Sequence, residues 1–378
     1  MADPHATLAP NFAVQIEGSD LGRGLSELVQ SLEYENVDGI ADEARLTISS
    51  PELALHDSPL WQPGNQMDVW FGYGTDIQHV GRVIIARPEP GYPREDIPSI
   101  TIKGYTMDFL MMDNGPAQAE PATRDFESIF IHEAVERVAQ RYRYDLLDID
   151  QTPGRYASIQ KADTKDYEFI KSLSNLTGYL FWVDYTLENK WALHFRDPSV
   201  LLEQDKKYVF QYNLGDKTTL LDFFPELTLS GAVQKLQAQV RNPESGKTMV
   251  VEFVDGETAP DSRYIGDPTQ VVDETQTTAG AVVKVFFGDY ALEVVSDKQF
   301  KTEAELRWWA EQWFKRRREN FILGRGSLIG VPDLRARQTH ELRGLAKAHV
   351  GDYYFARVNH KFGRDSGYEI DFSARKVL

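Results

Sequence analysis

The chain has 378 residues, with 41 Lys and Arg against 58 Asp and Glu and a formal net charge of −17. No cysteine is present, which excludes disulfides, thiolate zinc sites, iron–sulfur ligation and a Cys nucleophile together. The 20 Phe, 17 Tyr and 7 Trp supply enough surface for a core and exclude a disordered chain, and the acid excess argues against gripping nucleic acid by its phosphates.

At roughly 100–200 residues per domain, this length predicts two or three domains. No apolar run approaches the ~18 residues of a membrane span, Tyr179–Val183 being among the longest. Met1–Phe12 has no apolar stretch of the secretory kind, so neither a leader nor a membrane anchor is expected.

Residues 12–115 read as strands. Phe12–Ile16 and Ala44–Ile48 alternate apolar with polar, as a half-buried strand does. Pro63-Gly64 turns the chain into Met67–Phe71, and Gly72-Tyr73-Gly74 ends that strand. Val80–Ala86 and Ile100–Lys103 follow, parted by a loop expected over Pro88–Pro93. Short strands spaced by turn signals predict a small barrel or sandwich.

Pro116–Pro121 breaks the pattern. Ile131, Val135, Val138 and Tyr142 then fall at helical spacing and predict an amphipathic helix near 126–142. A second helix is expected after Asp163-Thr164, stopped by Gly178 in the C-terminal glycine role. Tyr179–Val183 and Trp191–Phe195 read as a hairpin. Strands return at Glu226–Leu229, Val233–Val240 and Thr248–Val254, and residues 255–280 read as an exposed excursion. The clearest helix opens on the capping box Thr302-Glu-Ala-Glu305, in which each side chain bonds the other's free amide. Leu306, Trp309, Ala310 and Trp313 share one face, and Arg316, Arg317 and Arg318 sit in the last turn, where cations meet the negative end of the helix dipole.

Two patterns run along the whole chain. Residues 301–378 carry 16 basic and 10 acidic side chains, net +6, which leaves −23 for residues 1–300. Gly81-Arg-Val-Ile-Ile-Ala86-Arg87 aligns with Gly351-Asp-Tyr-Tyr-Phe-Ala356-Arg357 at an offset of 270, and each is followed by one more strand. That predicts a structural duplication, and a trimer of a duplicated chain presents six similar units in a ring.

Catalytic patterns are missing. The eight histidines form no H-E-x-x-H or H-x-H pair, Gly324-Arg-Gly326-Ser327 fails G-x-S-x-G, and no Walker lysine follows a glycine-rich loop. Asp145–Asp150 lacks the glycine and distal glutamate of a calcium loop. A cell-wall hydrolase or carbohydrate-binding tail component would need carboxylates that converge in space, which spacing does not reveal. No catalytic, cofactor-binding or metal-ligating residue is therefore assigned. Trp308, Trp309, Trp313, Arg316, Arg317 and Arg318 are the candidates for packing or for contact with a subunit or partner.

The closing segment carries a resemblance. Gly351-Asp-Tyr353 through His360-Lys-Phe362, then Gly367-Tyr368 opening the last strand, resembles the end of the phage late control protein D family of tail baseplate hubs, relatives of the hub part of type VI secretion spike proteins. Gly330-Val-Pro332-Asp-Leu334 resembles the family's approach to that segment. Asp163–Leu173 with Gly178-Tyr179, Ala41–Leu46, and Gly64 through Tyr73 follow its earlier pattern in order. Arg335-Ala-Arg337 departs from the family's usual Pro-Gly turn, and residues 241–300 match least.

The resemblance implies a mainly β fold with α+β insertions and two tail-tube-like β-barrels per chain. Residues 1–115 would form the first barrel, 116–200 an α+β insertion, 201–240 with 320–378 the second barrel, and 241–319 an insertion with an exposed loop and the amphipathic helix. It implies a homotrimeric structural hub with a pseudo-sixfold ring, joining a sixfold tail tube protein to a threefold central spike protein. The tape measure protein and other baseplate proteins would be neighbours, and DNA would pass without specific binding. The place implied is the virion tail, assembled in the host bacterial cytoplasm; a contractile injection particle or tailocin fits the same part. Carboxylates lining the channel would repel phosphate.

Overall fold

Alternating burial along the strands produces, in a computed structural model of the chain, one sheet of thirteen strands. The structure describes residues 9–113, 125–153, 156–160, 164–186, 188–198, 208–227, 235–242, 246–254, 292–295, 302–319, 322–364 and 366–377. The excursion expected over 255–280 lies outside the described residues.

In chain order the first elements are β1 (Pro10–Ile16), β2 (Ser19–Asp20), α1 (Gly22–Ser26), β3 (Val29–Val37), β4 (Glu43–Ser49), β5 (Gln66–Tyr73), β6 (Asp76–Gly91), β7 (Ser99–Tyr105) and α2 (Phe109–Asp113). The middle holds β8 (Asp125–Ile129), α3 (Ile131–Ala139), β9 (Leu146–Ile149), β10 (Tyr156–Gln160), α4 (Asp166–Thr177), β11 (Leu180–Tyr185), β12 (Trp191–Arg196) and β13 (Val209–Gln211). Then come β14 (Leu220–Leu227), β15 (Lys235–Arg241), β16 (Thr248–Val254), β17 (Leu292–Val295), α5 (Glu303–Glu319), β18 (Ile322–Ile329), β19 (Gln338–Arg343), β20 (Gly351–Gly363) and β21 (Gly367–Lys376). The large sheet runs β14-β18-β21-β20-β3-β4-β7-β6-β5-β1-β2, with β19 on β20 and β13 on β19.

This sheet contains the same five-stranded unit twice. In one unit the order is β3-β4-β7-β6-β5, in the other β14-β18-β21-β20-β19, and each takes its strands from the chain in the same sequence. The registers coincide. In the hairpins, Ile84–Tyr105 and Arg87–Lys103 match Tyr354–Arg375 and Arg357–Ser373, all at the offset of 270. Both carry a bulge at the same place, Ala86 in one and Ala356 in the other. The outer ladders agree as well: β3 on β4 slips between Val29 and Ser31, and β14 on β18 between Leu220 and Asp222. A bulge leaves one residue unpaired and bends the strand, so two bulges in matching positions give both units the same curvature.

The two units are joined edge to edge, with Arg357–Gly363 of β20 running antiparallel to Ser31–Val37 of β3. One core cluster draws on both, with Leu32, Leu46 and Ile102 of one and Phe355, Phe372 and Ile370 of the other almost wholly excluded from water. Complete burial of one such side chain is worth roughly 1.5–3 kcal/mol.

The structure departs from the sequence expectation at four points. β3 carries the joint between units but was not anticipated, because Glu33, Glu35 and a buried Asn36 dilute its apolar alternation. β6 continues through Pro88 and Pro90, where a loop was expected. Its last residues pair with β7 on one side only, and a free edge tolerates residues without an N–H. The helix expected from 126 begins at Ile131; the preceding residues form β8, paired with β10. β15, whose residues up to 240 were assigned to the second barrel, pairs with β16 and β17 in a separate sheet covered by α5.

The α+β segment has its own core, including Phe126, Val135, Ile170 and Phe195. Gly178 ends α4 at φ 86°, and β11 and β12 form the expected hairpin, to which β9 adds in parallel. The capping box is present: Thr302 Oγ1 accepts from the Glu305 amide at 3.2 Å, and Glu305 accepts from the Thr302 amide at 3.4 Å.

Arg337 ties these parts together. Its guanidinium is 3.7 Å from Asp42 and 3.9 Å from Asp38, donates to the Val37 carbonyl at 3.1 Å, and lies over the Trp182 ring. Asp42 also accepts from Asn36 and from the Val37 amide. Burial raises Asp42 to about 6 even though Arg337 opposes the shift, and burial takes neighbouring Asp108 to about 7.

Candidate functional site

The broad solvent-facing side of the eight strands from β14 to β6 is the largest candidate working surface. Residues pointing into the core alternate with residues pointing out, so the ladder registers fix which side chains share the outer face. Glu33, Arg45, Lys103 and Arg87 lie side by side across β3, β4, β7 and β6, and Lys361 and Glu369 continue that row through β20 and β21. A second row holds Glu35, Asn359, Asp371, Ser327 and Asp222.

Across these rows the face presents Glu33, Glu35, Glu43, Glu89, Asp222, Glu226, Glu369 and Asp371 against Arg45, Arg87, Lys103, Arg325, Arg357, Lys361 and Arg375. It is therefore close to neutral, despite the −17 of the chain. Arg45 meets Glu43 at 2.8 Å, Lys103 meets Glu89 at 2.8 Å, Lys361 meets Asp371 at 2.6 Å, and Arg357 pairs with Glu35. The bond from Lys103 holds Glu89 below the usual carboxylate range, and the bond to Asp371 raises Lys361. Half-exposed pairs of this kind add about 0–1 kcal/mol each to stability. Their effect is to hold the paired charges on the face itself.

Several signature residues converge behind it in one buried knot. Gly330 has no room for a side chain, since a Cβ there would sit 2.1 Å from the Tyr368 ring; its carbonyl accepts from Tyr73 Oη at 3.1 Å. His360 is fully buried, with Nε2 2.9 Å from the Leu334 carbonyl and Nδ1 2.7 Å from Tyr368 Oη. A carbonyl only accepts, so Nε2 bears the proton and Nδ1 accepts from the tyrosine, leaving a neutral ring. Burial, and then the charge of Arg335, lower His360 to about 3. Phe71 stacks on both His360 and Tyr368, so the knot fastens the second unit to the first.

The remaining signature residues are dispersed. Gly64, Gly351 and Gly367 adopt positive φ at turns and strand starts, Tyr353 bonds the His349 carbonyl, and Pro332 offers its carbonyl to Arg335. Tyr179 lies against Phe195 and donates to the Gln151 carbonyl. On α5, Trp309 is buried, while Trp308 and Trp313 pack partly buried against the same cluster. The side chains of Arg316, Arg317 and Arg318 lie outside the described residues. A cleft of about 360 Å³ lies between the large sheet and the β11–β12 hairpin, lined by Trp182, Asp184, His194, Arg335 and Arg337 among others. His194 bonds Asp148 at 2.9 Å and Asp184 at 3.1 Å. Among the described residues no group of His, Asp and Glu is placed to hold a metal, and no helix is long and apolar enough to cross a membrane.

The resemblance names Gly330, Leu334, His360 and Tyr368 as signature positions, but neither their meeting in one knot nor the neutral face is readable from sequence. The polar positions of each strand were readable; which cation stands beside which carboxylate follows from register alone.

No protein-family model matches the chain, and no curated protein matches it. Among solved structures it is similar to the tail protein from Neisseria meningitidis MC58, with a TM-score of 0.66 at 11% identity over 97% of each chain. It is also similar to the 43 kDa tail protein of prophage MuSo2 from Shewanella oneidensis, with a TM-score of 0.68 at 10% identity over 97% of this chain and 98% of that one. A third is the E. coli c3393 protein, a component of the type VI secretion system described as structurally similar to the T4 tail proteins gp27 and gp5. Its TM-score is 0.57 at 12% identity over 96% of this chain and 76% of that one. The chain thus has the mainly β fold of phage tail proteins and of type VI secretion components, over almost its whole length.

Proposed function

We propose that the chain is a structural baseplate hub of a phage tail, of the kind formed by the late control protein D family. Three copies assemble into a ring that joins a sixfold tail tube to a threefold central spike. The observation that carries this reading is the repeated five-stranded unit with coincident registers and bulges. A threefold assembly of a chain with two equivalent units offers six equivalent surfaces on one side and three on the other, which is the matching such a joint requires. The likeness in fold to tail proteins supports it. The tape measure protein and other baseplate proteins are neighbours in this reading, and the working place is the virion tail.

The mechanism is mechanical. The face of the eight-stranded sheet lines the channel, and its acidic and basic side chains are close to balance, several of them paired along or across the strands. DNA passing through meets a wall that neither offers a field of unneutralised cations nor repels it strongly, so it slides without a binding register. No bond is made or broken.

Purified full-length chain is expected to scatter light as a particle of about 129 kDa, three times the 43.1 kDa of one chain. A mass of one chain at all concentrations counts against the reading.

A further inference from the structure

The chain contains a template for its own contact with a second copy. Inside the chain, the second unit's β20 accepts the first unit's β3 along Arg357–Gly363 and Ser31–Val37. By the register correspondence, the equivalent edges are residues 88–93 of the first unit, on β6 and just beyond it, and residues 222–227 of the second, on β14. Among the described residues β14 ends the large sheet, and this part of β6 pairs only with β7. These edges also carry the two most exposed large apolar side chains among the described residues, Tyr92 at 65% and Phe224 at 60%.

Resting on the trimer reading above, we propose that β14 of one copy meets β6 of the next in the register of the internal joint, closing the ring by side-chain packing with few backbone bonds. The internal joint turns the even-numbered main-chain groups of β3 toward β20, as the bond from the Asp38 amide to the Ala356 carbonyl shows. Its crossing pairs Val358–Asn36, His360–Tyr34 and Phe362–Leu32 become Pro88–Leu227, Pro90–Pro225 and Tyr92–Phe223 between copies. Pro88, Pro90 and Pro225 remove half of the N–H donors at this seam, whereas the internal joint has no proline at these positions. Phe224 falls opposite Gly91 of the next copy, where the absent side chain leaves space for its ring. The prolines also keep either edge from recruiting an unrelated strand before the ring forms.

The test uses full-length chain with Glu89→Cys and Glu226→Cys, positions that correspond to the opposed pair Asn359–Glu35. Directly opposed residues of an antiparallel pair lie about 4.5–5.5 Å apart at Cα, within disulfide reach. The chain has no other cysteine, so background cross-linking is nil. Mild oxidation of the double variant is expected to give covalent trimers on a denaturing gel, and neither single variant should. A particle of trimer mass without the cross-link overturns the seam and leaves the hub reading standing. A monomer at every concentration removes both. As a second arm, Pro88→Val with Pro90→Val and Pro225→Val restores the donors and is expected to lower the trimer dissociation constant at least tenfold. An unchanged constant contradicts a seam short of backbone bonds.

Discussion

Arg337→Ala is expected to lower the stability of the chain by about 3–5 kcal/mol, with a larger loss at pH 8 than at pH 5. The Arg337 side chain is 6% exposed and reaches Asp38 and Asp42 at one end of the joint between the units. Removing it strands Asp42, 1% exposed, without its counter-charge. The pH sign follows from the direction of the shift. Asp42 titrates at about 6 in the folded chain and near 3.9 unfolded, so its unfavourable contribution sets in as pH rises from about 4 to 6. Without Arg337 the folded value rises further, and the loss keeps growing above pH 6. At pH 5 the carboxyl is mostly protonated in either protein. Denaturant titrations at the two pH values check this, and adding Asp42→Asn should remove most of the pH difference. Equal losses at both would show that packing against Trp182, not charge, is what Arg337 supplies.

His360→Gln is expected to flatten the acid limb of the stability curve. Below about 6.5 the unfolded histidine takes up a proton that the folded ring, titrating near 3, refuses. Native stability therefore falls by about 1.4 kcal/mol per pH unit from this group, or about 2 kcal/mol between pH 6.5 and 5. Glutamine keeps a donor for the Leu334 carbonyl and an acceptor for Tyr368 but has no proton to gain. Asp42 and Asp108 work in the opposite direction, gaining stability as pH falls, so the informative quantity is the difference between native and variant at each pH. That difference should shrink steadily from pH 6.5 to 5. A constant difference would mean that the folded ring takes up its proton over the same pH range as the unfolded one.

Much of the architecture was legible in local sequence. Strands such as Met67–Phe71 announce themselves by alternation and a preceding Pro-Gly turn, and Thr302 to Glu305 names its own helix start. The offset of 270 between Gly81–Arg87 and Gly351–Arg357 was visible as well, and it marks the strands that share a bulge at Ala86 and Ala356. What local pattern could not show is pairing. β3 hides behind its glutamates because those side chains face Arg45 and Arg357 across neighbouring strands, partners that no window of sequence contains. Net charge is silent on this for the same reason: −17 is an average over the chain, while the outer face of the sheet carries acidic and basic side chains in near-equal number. Arg335 and Arg337, read as a departure from a familiar turn, tie the units together: half-buried Arg335 donates to the His79 carbonyl and buried Arg337 to the Val37 carbonyl. The mainly β class was therefore accessible from sequence, whereas the meeting of Gly330, His360 and Tyr368 in one buried knot and the charge pairing of the outer face needed the register.

In the proposed hub, two equivalent units in each of three copies build one channel wall. Averaged electron-microscope images of the purified full-length chain test it most directly. Rings of three chains with six similar lobes around an open pore are expected. Compact particles without a pore, or rings whose copy number is not three, would contradict it.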